Sequence, residues 1–475
     1  MLPPVSLTAA ALSLLAVSPQ LAYAYGHGSH KPPTATVEGG KLVGTTTSLL
    51  AATATVNQFL GVPFATAERF SMPSKVKKWK KKLDASKRRP SCMQQFNYPE
   101  STRNFTMGMY NNPPPEESED CLTLNIFAPS TPAPPGGYPV LFWIYGGSLT
   151  FGYSGNAGYD GSAFASYEDT IVVATNYRTN VFGFPNSPEL PVKEQNLGLH
   201  DQHAALTWVQ RNIKSFNGNP KKVTIFGESA GAFSVDALVT SSPSRPPFRA
   251  AIMQSGVTTL GTFMAGDAKG PETWAKLVAA VGCSGAKSPL KCVRKVPALK
   301  IKDVIERANL GFNPVRDGVT LVSDPSGARR ARKIADVPVM IGSTSQEAKV
   351  FTIGQNDLDA YLASTFHVPA LAAAIKRAYA IGSPGIENDN DAISAIYTDL
   401  VFTCPASATS SLSSTAGYQT HRFYFNASFA NLQPPGLDLG VFHSSEISLV
   451  FSTYPKTGAA AAQEALSNYM RGAWG

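Results

Sequence analysis

Short apolar runs that alternate with helix-like segments constrain the fold of this chain more than any other feature of its sequence. Each run is bounded by turn residues and is typical of a buried strand. The alternation predicts one large α/β domain with a mainly parallel central sheet and helices on both faces. The runs are VLFWIY (140–145), IVVATNY (171–177), VTIFG (223–227), AAIMQS (250–255), VPVMIG (337–342) and HRFYFN (421–426).

The segment TIFGESAGAFS places one serine between an apolar run and an Ala-rich helical pattern. Its Gly227-x-Ser229-x-Gly231 spacing at a strand-to-helix turn is that of a nucleophile elbow. The two glycines let strand and helix approach closely, and the helix N-terminus offers amide donors to an oxyanion. Ser229 is therefore a candidate nucleophile; the alternative is a structural turn with an incidental serine.

The general base for such a serine is sought after it in the chain, because the order on this type of fold is serine, acid, histidine. His367, His421 and His443 qualify by position. His421 begins an apolar run and His367 has no partner in view, whereas His443 lies in a loop of small residues, LGVFHSSE. An ordinary histidine predicts an acid limb roughly between pH 5.5 and 7.5.

The acid of the triad is expected at a strand end between the serine and the histidine. VPVMIGSTSQEAKVF offers Glu347. Asp324 and Asp399 are alternatives, although each would more simply cap a helix or form an ion pair.

Eight segments in fixed order carry a family resemblance. They are NQFLGVPFA, SEDCLTLNIFAP, VLFWIYGGSLTFG, ATNYRTNVFGF, NLGLHDQHAALTWVQRNI, VTIFGESAGAFS, AIMQSG and GVFHSSEISLVF. From about residue 36 to its end, the chain resembles the type-B carboxylesterase/lipase family of α/β-hydrolases, which includes cholinesterases and secreted fungal lipases. The likeness looks closest to the secreted fungal members, and it implies the α/β-hydrolase fold.

The resemblance implies roles for the candidate residues. His443 matches the family's catalytic histidine, and Glu347 matches the acid of its Asp-Glu-Gly motif, although Gln346 and Ala348 replace the flanking residues. The implied reaction forms an acyl-enzyme on Ser229 and needs no metal or organic cofactor.

The resemblance also implies an oxyanion hole built from backbone amides. The donors would be the N–H groups of Gly147, Ser148 and Ala230, with Ser148 in place of a third glycine. Ser255, in MQSG, resembles a serine near the histidine–acid pair; a structural hydroxyl is an equal alternative.

The N-terminus has the features of a signal peptide. An apolar stretch closes with Ala22-Tyr23-Ala24, an A-x-A cleavage pattern. We therefore expect residues 1–24 to be removed, residues 25–475 to form a single domain, and the protein to be secreted. Asn104 and Asn426 begin glycosylation sequons. The family usually continues for some tens of residues beyond LSNYMRGAWG, so the C-terminus is expected to be truncated.

Five cysteines lack metal-like spacing. The resemblance implies disulfides between Cys92 and Cys121 and between Cys283 and Cys292. Cys404 follows an apolar run and is expected to be a buried free thiol, with a bridge lost by truncation as the alternative.

The net charge of +8 is concentrated in one run. Residues 75–89 hold nine basic residues and one acid, Asp84, so the remainder of the chain is neutral. This distribution argues against a nucleic-acid-binding face spread over a domain. A solvated surface segment is the simplest interpretation, and a binding patch is the alternative.

The sequence as a whole predicts a secreted serine hydrolase that cleaves carboxylic esters, as a carboxylesterase or a lipase. The competing hypothesis is a catalytically silent relative that acts in binding or adhesion, and a third is a basic surface-binding protein. Neither the ester nor the oligomeric state can be predicted.

Overall fold

A computed structural model describes residues 31–50, 52, 54–260 and 270–475. The predicted signal peptide, residues 1–24, lies outside the described residues.

Twelve strands form two sheets in this part of the chain. Three of them, β1 (Thr34–Val37), β2 (Gly40–Val43) and β5 (Leu83–Asp84), make a small sheet. The other nine make the central sheet: β3 (Thr45–Thr47), β4 (Val56–Pro63), β6 (Thr123–Pro129), β7 (Tyr138–Ile144), β8 (Ile171–Thr175), β9 (Gly218–Glu228), β10 (Ala250–Gln254), β11 (Val339–Thr344) and β12 (Thr420–Phe425).

The central sheet has the strand order β12-β11-β10-β9-β7-β8-β6-β4-β3. Strands β12 to β8 in this order pair in parallel, and β6, β4 and β3 continue antiparallel. The six predicted strands are all present in the parallel part. The predicted fold class is confirmed.

Helices connect these strands and cover the sheet. They are α1 (Glu100–Tyr110), α2 (Ser162–Tyr167), α3 (Asn180–Gly183), α4 (Leu197–Asn212), α5 (Ala230–Ser241), α6 (Gly270–Ala280), α7 (Pro289–Val293), α8 (Ala298–Arg307), α9 (Pro325–Arg330), α10 (Leu358–Thr365), α11 (Pro369–Ala378), α12 (Asp389–Thr398), α13 (Cys404–Thr415), α14 (Ile447–Val450) and α15 (Ala461–Trp474). A π-turn, Asp399–Thr403, joins α12 to α13. Among the residues described, no helix is both long enough and apolar enough to cross a bilayer.

Parallel strands bring their carboxyl ends to one edge of the sheet, and that edge positions the site. Strand β7 leads into Gly146 and Gly147, β9 into Ser229, and β11 into the turn that carries Glu347. Residues far apart in the chain therefore meet where the strands end.

The structure contains the disulfides Cys92–Cys121 and Cys283–Cys292. The expectation for the fifth cysteine is wrong: Cys404 is free but exposed. Cys404 is the first residue of α13. Val401 and Phe402, in the π-turn before it, are buried, whereas the Cys404 side chain faces solvent. An apolar run before a cysteine does not determine which side of a helix the cysteine occupies.

We expect native alkylation to label Cys404 alone. Its thiol is exposed, whereas the other four sulfurs are paired. Non-reducing peptide mapping after labelling of the folded protein should recover two bridged peptides and one alkylated peptide. Labelling of Cys404 only after denaturation would contradict the exposed position.

Candidate active site

Ser229 lies between the last residue of β9 and the first residue of α5, in a strained backbone conformation. Its φ is 57° and its ψ is −123°, a combination that costs a non-glycine residue of order 1–3 kcal/mol. The Ser229 N–H donates to the Gln254 carbonyl at 2.8 Å, which ties the turn to the neighbouring strand. The side chain is half-buried and faces a cavity.

Two glycines make this turn possible because no side chain would fit at either position. A Cβ on Gly231 would lie 2.0 Å from the Ile144 carbonyl oxygen, and one on Gly227 would lie 2.6 Å from the same atom. The first turn of α5 therefore packs directly on the end of β7. The G-x-S-x-G spacing is a packing requirement here.

His443 and Glu347 form a hydrogen-bonded pair. His443 Nδ1 lies 2.6 Å from Glu347 Oε2, and the His443 N–H donates to the Glu347 carbonyl at 3.2 Å. Both side chains are buried. An ionised carboxylate can only accept, so Nδ1 carries the proton of this bond and Nε2 faces the other way.

Gln346, which differs from the family's aspartate, supports the histidine loop. Its side-chain oxygen accepts from the Val441 N–H at 2.9 Å, and its own N–H donates to the Val441 carbonyl at 3.1 Å. The departure from the family motif therefore leaves this loop fixed.

Two aromatic rings hold the imidazole from the side. The ring centroids of Phe351 and Phe402 lie 5.1 Å and 4.8 Å from that of His443. Phe402 belongs to the π-turn, a rare helical form that is frequent at functional sites.

Glu228, the residue before Ser229, contacts the free nitrogen of the imidazole. Its Oε1 lies 3.0 Å from His443 Nε2 and accepts from the Ser444 hydroxyl at 2.6 Å. The Ser229 hydroxyl has no hydrogen-bond partner among the described residues. An unprotonated imidazole nitrogen and a carboxylate oxygen can both only accept a hydrogen bond. Because Nε2 and Oε1 lie at hydrogen-bonding distance, either His443 Nε2 or Glu228 carries a proton in this arrangement.

Glu446 is a third buried carboxyl near the imidazole, and residues from elsewhere orient it. Gln254 Nε2 donates to Glu446 Oε1 at 2.9 Å, and Trp474 Nε1 donates to Gln254 Oε1 at 3.0 Å. An indole N–H can only donate, so it fixes which end of the Gln254 amide faces the carboxyl. Helix α15 thereby reaches the centre of the site.

Burial and charge shift the pKa values of these groups. Burial lowers the pKa of His443, but the carboxyls of Glu228 and Glu347 outweigh it and raise that pKa to about 9. Burial raises the pKa of Glu228, against the opposing effect of His443. Burial, with smaller contributions from Glu228 and Glu347, raises the pKa of Glu446 to about 8. The expected acid limb therefore moves above that of an ordinary histidine.

The three predicted oxyanion amides are free to bind a ligand. In the described part of the chain, the N–H groups of Gly147, Ser148 and Ala230 donate no hydrogen bond to backbone or side chain. Gly147 has φ 97° and Ser148 has φ 54°. The positive φ at Ser148 explains why a glycine suits this position. The Ser148 side chain is exposed in the cavity.

The site opens into one cavity of about 680 Å³. Gly147, Ser148, Ser229 and His443 line its polar part. Its apolar lining includes Phe105, Met109 and Tyr110 from α1, together with Phe351, Leu437 and Phe442. The cavity can hold a molecule with a reactive polar group and an apolar body.

The alternative candidates lie elsewhere. Asp324 caps α9 by accepting from the Gly327 N–H at 2.7 Å, and Asp399 accepts from the Tyr379 hydroxyl at 2.7 Å. His367 and His421 are exposed. The Ser255 hydroxyl is buried and has no partner in the described residues, so the structure does not join it to the histidine–acid pair.

Sequence reasoning missed four residues of this site: Glu228, Gln254, Glu446 and Trp474. Glu228 occupies the variable position of G-x-S-x-G, and Glu446 ends the segment HSSE. The sequence did contain a signal for these two residues, because Glu228 precedes Ser229 and Glu446 follows His443 by three residues. Gln254 and Trp474 had none, because only the fold brings them together.

The comparisons with known proteins agree with this geometry. The profile of the carboxylesterase family matches residues 31–475. The chain belongs to the carboxylesterase family. Carboxylesterase 1D of Mus musculus is 31% identical over 491 residues, which cover 95% of this chain and 86% of the relative. Carboxylesterase 1C of Rattus norvegicus is 31% identical over 477 residues, with 95% and 85% covered.

A further carboxylesterase relative matches a shorter part of the chain. Carboxylesterase 5A of Canis lupus familiaris is 36% identical over 314 residues, which cover 65% of this chain and 54% of the relative. The family and its named members support carboxylic ester hydrolysis on small ester substrates. A closer likeness to secreted fungal carboxylesterases stays a prediction.

Glu228→Gln should move the acid limb of kcat/KM to lower pH. The substitution removes a negative charge that favours the imidazolium of His443, so the neutral imidazole persists to lower pH. We expect a displacement of about one pH unit or more, as for an opposite charge at this separation. A pH profile on a soluble ester measures it.

Glu446→Gln is the matched control for that experiment, because Glu446 contributes less to the pKa of His443 than Glu228 does. The acid limb of kcat/KM should move less in Glu446→Gln than in Glu228→Gln. An unchanged limb in Glu228→Gln, with the protein folded, would show that Glu228 does not govern the imidazole.

Trp474→Phe should lower both stability and activity. It leaves Gln254 Oε1 buried without its donor, at a cost of about 1–3 kcal/mol, and releases the orientation of the amide that faces Glu446. Urea unfolding and the pH profile of kcat/KM measure the two effects. Trp208→Phe is the control, because Trp208 is equally buried and its indole N–H has no acceptor in the described residues. Equal effects in the two variants would contradict a positioning role.

Proposed function

We propose that the chain hydrolyses carboxylic esters through an acyl-enzyme on Ser229, with His443 as general base and Glu347 as the acid that orients it. One observation carries the proposal. Ser229, on the turn between β9 and α5, shares a cavity with His443, whose Nδ1 lies 2.6 Å from Glu347. The base and the orienting acid are paired as such a reaction requires, and the serine opens into the same cavity as the base, which supports the proposal.

In the first half of the reaction, His443 Nε2 takes the proton of Ser229 as its oxygen attacks the ester carbonyl. The carbonyl oxygen becomes an oxyanion, held by the free amides of Gly147, Ser148 and Ala230. Glu347 keeps the proton on Nδ1 and stabilises the imidazolium. The proton then passes from Nε2 to the leaving alcohol.

Water repeats these steps on the acyl-enzyme and releases the carboxylic acid. In both halves Nε2 must exchange its contact with Glu228 for one with the reacting oxygen. A protonated Glu228 would leave His443 neutral, but its O–H would donate to Nε2, so this hydrogen bond must break before Nε2 can accept the serine proton. Burial raises the pKa of Glu228 and thereby favours its protonated form. Glu228 therefore controls how much of the base is available.

The cavity supports esters with at least one apolar part as substrates. Helix α1 contributes Phe105, Met109 and Tyr110 to the lining of the cavity. A carboxylesterase and a lipase would both use such a cavity, and the length of the accepted acyl chain would distinguish them.

We also propose that the protein is secreted and glycosylated. Both disulfides favour an oxidising compartment. The sequon residues Asn104 and Asn426 are exposed, so an oligosaccharide could be attached to each. Asn104 also lines the cavity, so a glycan there would stand at its mouth.

Ser229→Ala and His443→Ala should each reduce ester hydrolysis by about 10⁴-fold or more. Because the three residues act as a unit, the double variant should be little slower than either single variant. Hydrolysis of a short-chain nitrophenyl ester measures the rates, and a fluorophosphonate should label the wild type at Ser229.

Ser448→Ala is the control, because Ser448 lines the same cavity without a place in the proposed chemistry. It should keep its activity and its labelling. Full activity in Ser229→Ala would refute the mechanism. A folded wild type that neither hydrolyses esters nor reacts with the fluorophosphonate would favour the silent binding protein.

A further inference from the structure

The basic run of residues 75–89 forms an exposed surface of unpaired positive charge. All nine of its lysines and arginines are exposed. Within the described residues only Arg88 makes an ion pair, with Asp160 at 3.3 Å. The one acid of the run, Asp84, accepts from the N–H and hydroxyl of Ser86. No ion pair in the described part of the chain neutralises the charge of the other eight basic residues.

A second basic segment lies about two hundred residues further along. Residues 287–300 contain five basic residues and no acid. All five are exposed, and none forms an ion pair in the part of the chain that the structure describes. They are Lys287, Lys291, Arg294, Lys295 and Lys300.

The fold joins this second segment to the residues just before the first. Arg294 donates to the carbonyls of Arg69 and Phe70 at 3.1 and 2.9 Å. Arg69 donates in return to the carbonyls of Val293, at 3.0 Å, and Val296. The second segment therefore contacts the chain four residues before Lys75, which places it close to the start of the first segment. Two acids at this edge are engaged, Glu119 with Arg69 and Glu189 with Ser288, and a third, Glu68, is exposed.

A groove of about 630 Å³ opens in the second segment. Lys287, Lys291, Lys295 and Lys300 line it. Its apolar lining includes Val281 and the Cys283–Cys292 disulfide. An anionic group that entered this groove would meet several ammonium groups at once.

The first segment is held rigidly, unlike a basic tail. Trp79 N–H donates to the Gly39 carbonyl at 2.9 Å, and its indole donates to the Lys41 carbonyl at 3.1 Å. A Cβ on Gly39 would lie 2.2 Å from the Trp79 ring, so the indole lies flat on the β1–β2 turn. Strand β5 then pairs with β2. The backbone that carries these cations is therefore tied to the small sheet before any partner arrives, which lowers the entropy cost of binding.

We propose that segments 75–89 and 287–300 together form a docking surface for an anionic lipid surface. Clustered lysines bind anionic headgroups electrostatically. Apolar side chains are exposed beside these cations: Leu299 is 71% exposed and Met72 is 39% exposed. A membrane interface uses both features, whereas a soluble acidic polysaccharide would use only the charge.

Docking to a lipid surface would also affect catalysis. This step rests on the proposed function. Apolar esters partition into lipid surfaces, so docking brings the cavity to its substrate. Each turnover cleaves the acyl–oxygen bond of the ester with water and releases an alcohol and a carboxylic acid. The acid is ionised at neutral pH. A long-chain carboxylate stays in the lipid surface and adds negative charge, so the reaction would strengthen its own docking.

The test is co-sedimentation of the full chain with lipid vesicles. Vesicles of phosphatidylcholine alone are compared with vesicles that also contain phosphatidylserine or oleate. We expect binding to both anionic compositions, loss of binding at high salt, and little binding to phosphatidylcholine. The triple variants Lys77→Gln/Lys78→Gln/Lys81→Gln and Lys291→Gln/Lys295→Gln/Lys300→Gln should each bind about 100-fold more weakly, since each lysine near such a surface contributes a factor of about five.

The matched control removes three exposed cations elsewhere, as Arg330→Gln/Lys333→Gln/Arg377→Gln. It changes the net charge equally and should bind vesicles like the wild type. Equal loss in the control would overturn the location of the surface. Equal binding to neutral vesicles, or binding to heparin without binding to anionic vesicles, would overturn the lipid partner.

Ser229→Ala keeps this test independent of catalysis, because its vesicle binding should match that of the wild type. The two lysine triple variants should hydrolyse a soluble short-chain ester at the wild-type rate, which also shows that they fold. Loss of ester hydrolysis in the wild type with vesicle binding retained would refute the proposed function alone. Hydrolysis without vesicle binding would refute the docking surface alone.

Discussion

Three buried carboxyl groups surround one imidazole, and they determine the hydrogen bonding and protonation of the candidate active site. Glu228, Glu347 and Glu446 share the surroundings of His443, and burial raises the pKa values of Glu228 and Glu446. Each therefore needs a donor or a proton: Glu347 has Nδ1–H, Glu228 has Ser444, and Glu446 has Gln254. The protons of this cluster belong to the group, and the titration of the base cannot be separated from that of its neighbours.

The rest of the fold buries this cluster and holds its members in place. The glycine contacts at the end of β7 place Ser229 on its corner, while Phe351 and Phe402 cover the imidazole. Ser229 follows β9 and Glu347 follows β11, whereas His443 lies in a loop after β12. Small changes in packing at the ends of β9 and β11 would therefore alter the chemistry directly, because each of these strands positions one of the proposed reacting groups.

The sequence predicted what depends on local pattern. Apolar runs located the six parallel strands, and the spacing of Gly227, Ser229 and Gly231 located the elbow. It did not reveal that Glu228 contacts the imidazole, since the pattern leaves that position variable. It also missed the contact of Arg69 and Phe70 with Arg294, because charge summed along a chain does not record which segments the fold brings together. Cys404 was misplaced for a similar reason, since helix orientation decides exposure.

The contact of Trp474 with Gln254 has a consequence for the order of events during protein synthesis. Residues 461–474 leave the ribosome after Ser229, Glu347 and His443. A nascent chain can thus hold every proposed reacting group while the amide that orients Glu446 still lacks its indole partner. We expect the site to reach its full rate only when α15 has docked. A helix that follows every proposed reacting group in the chain thus completes the hydrogen bonds around them.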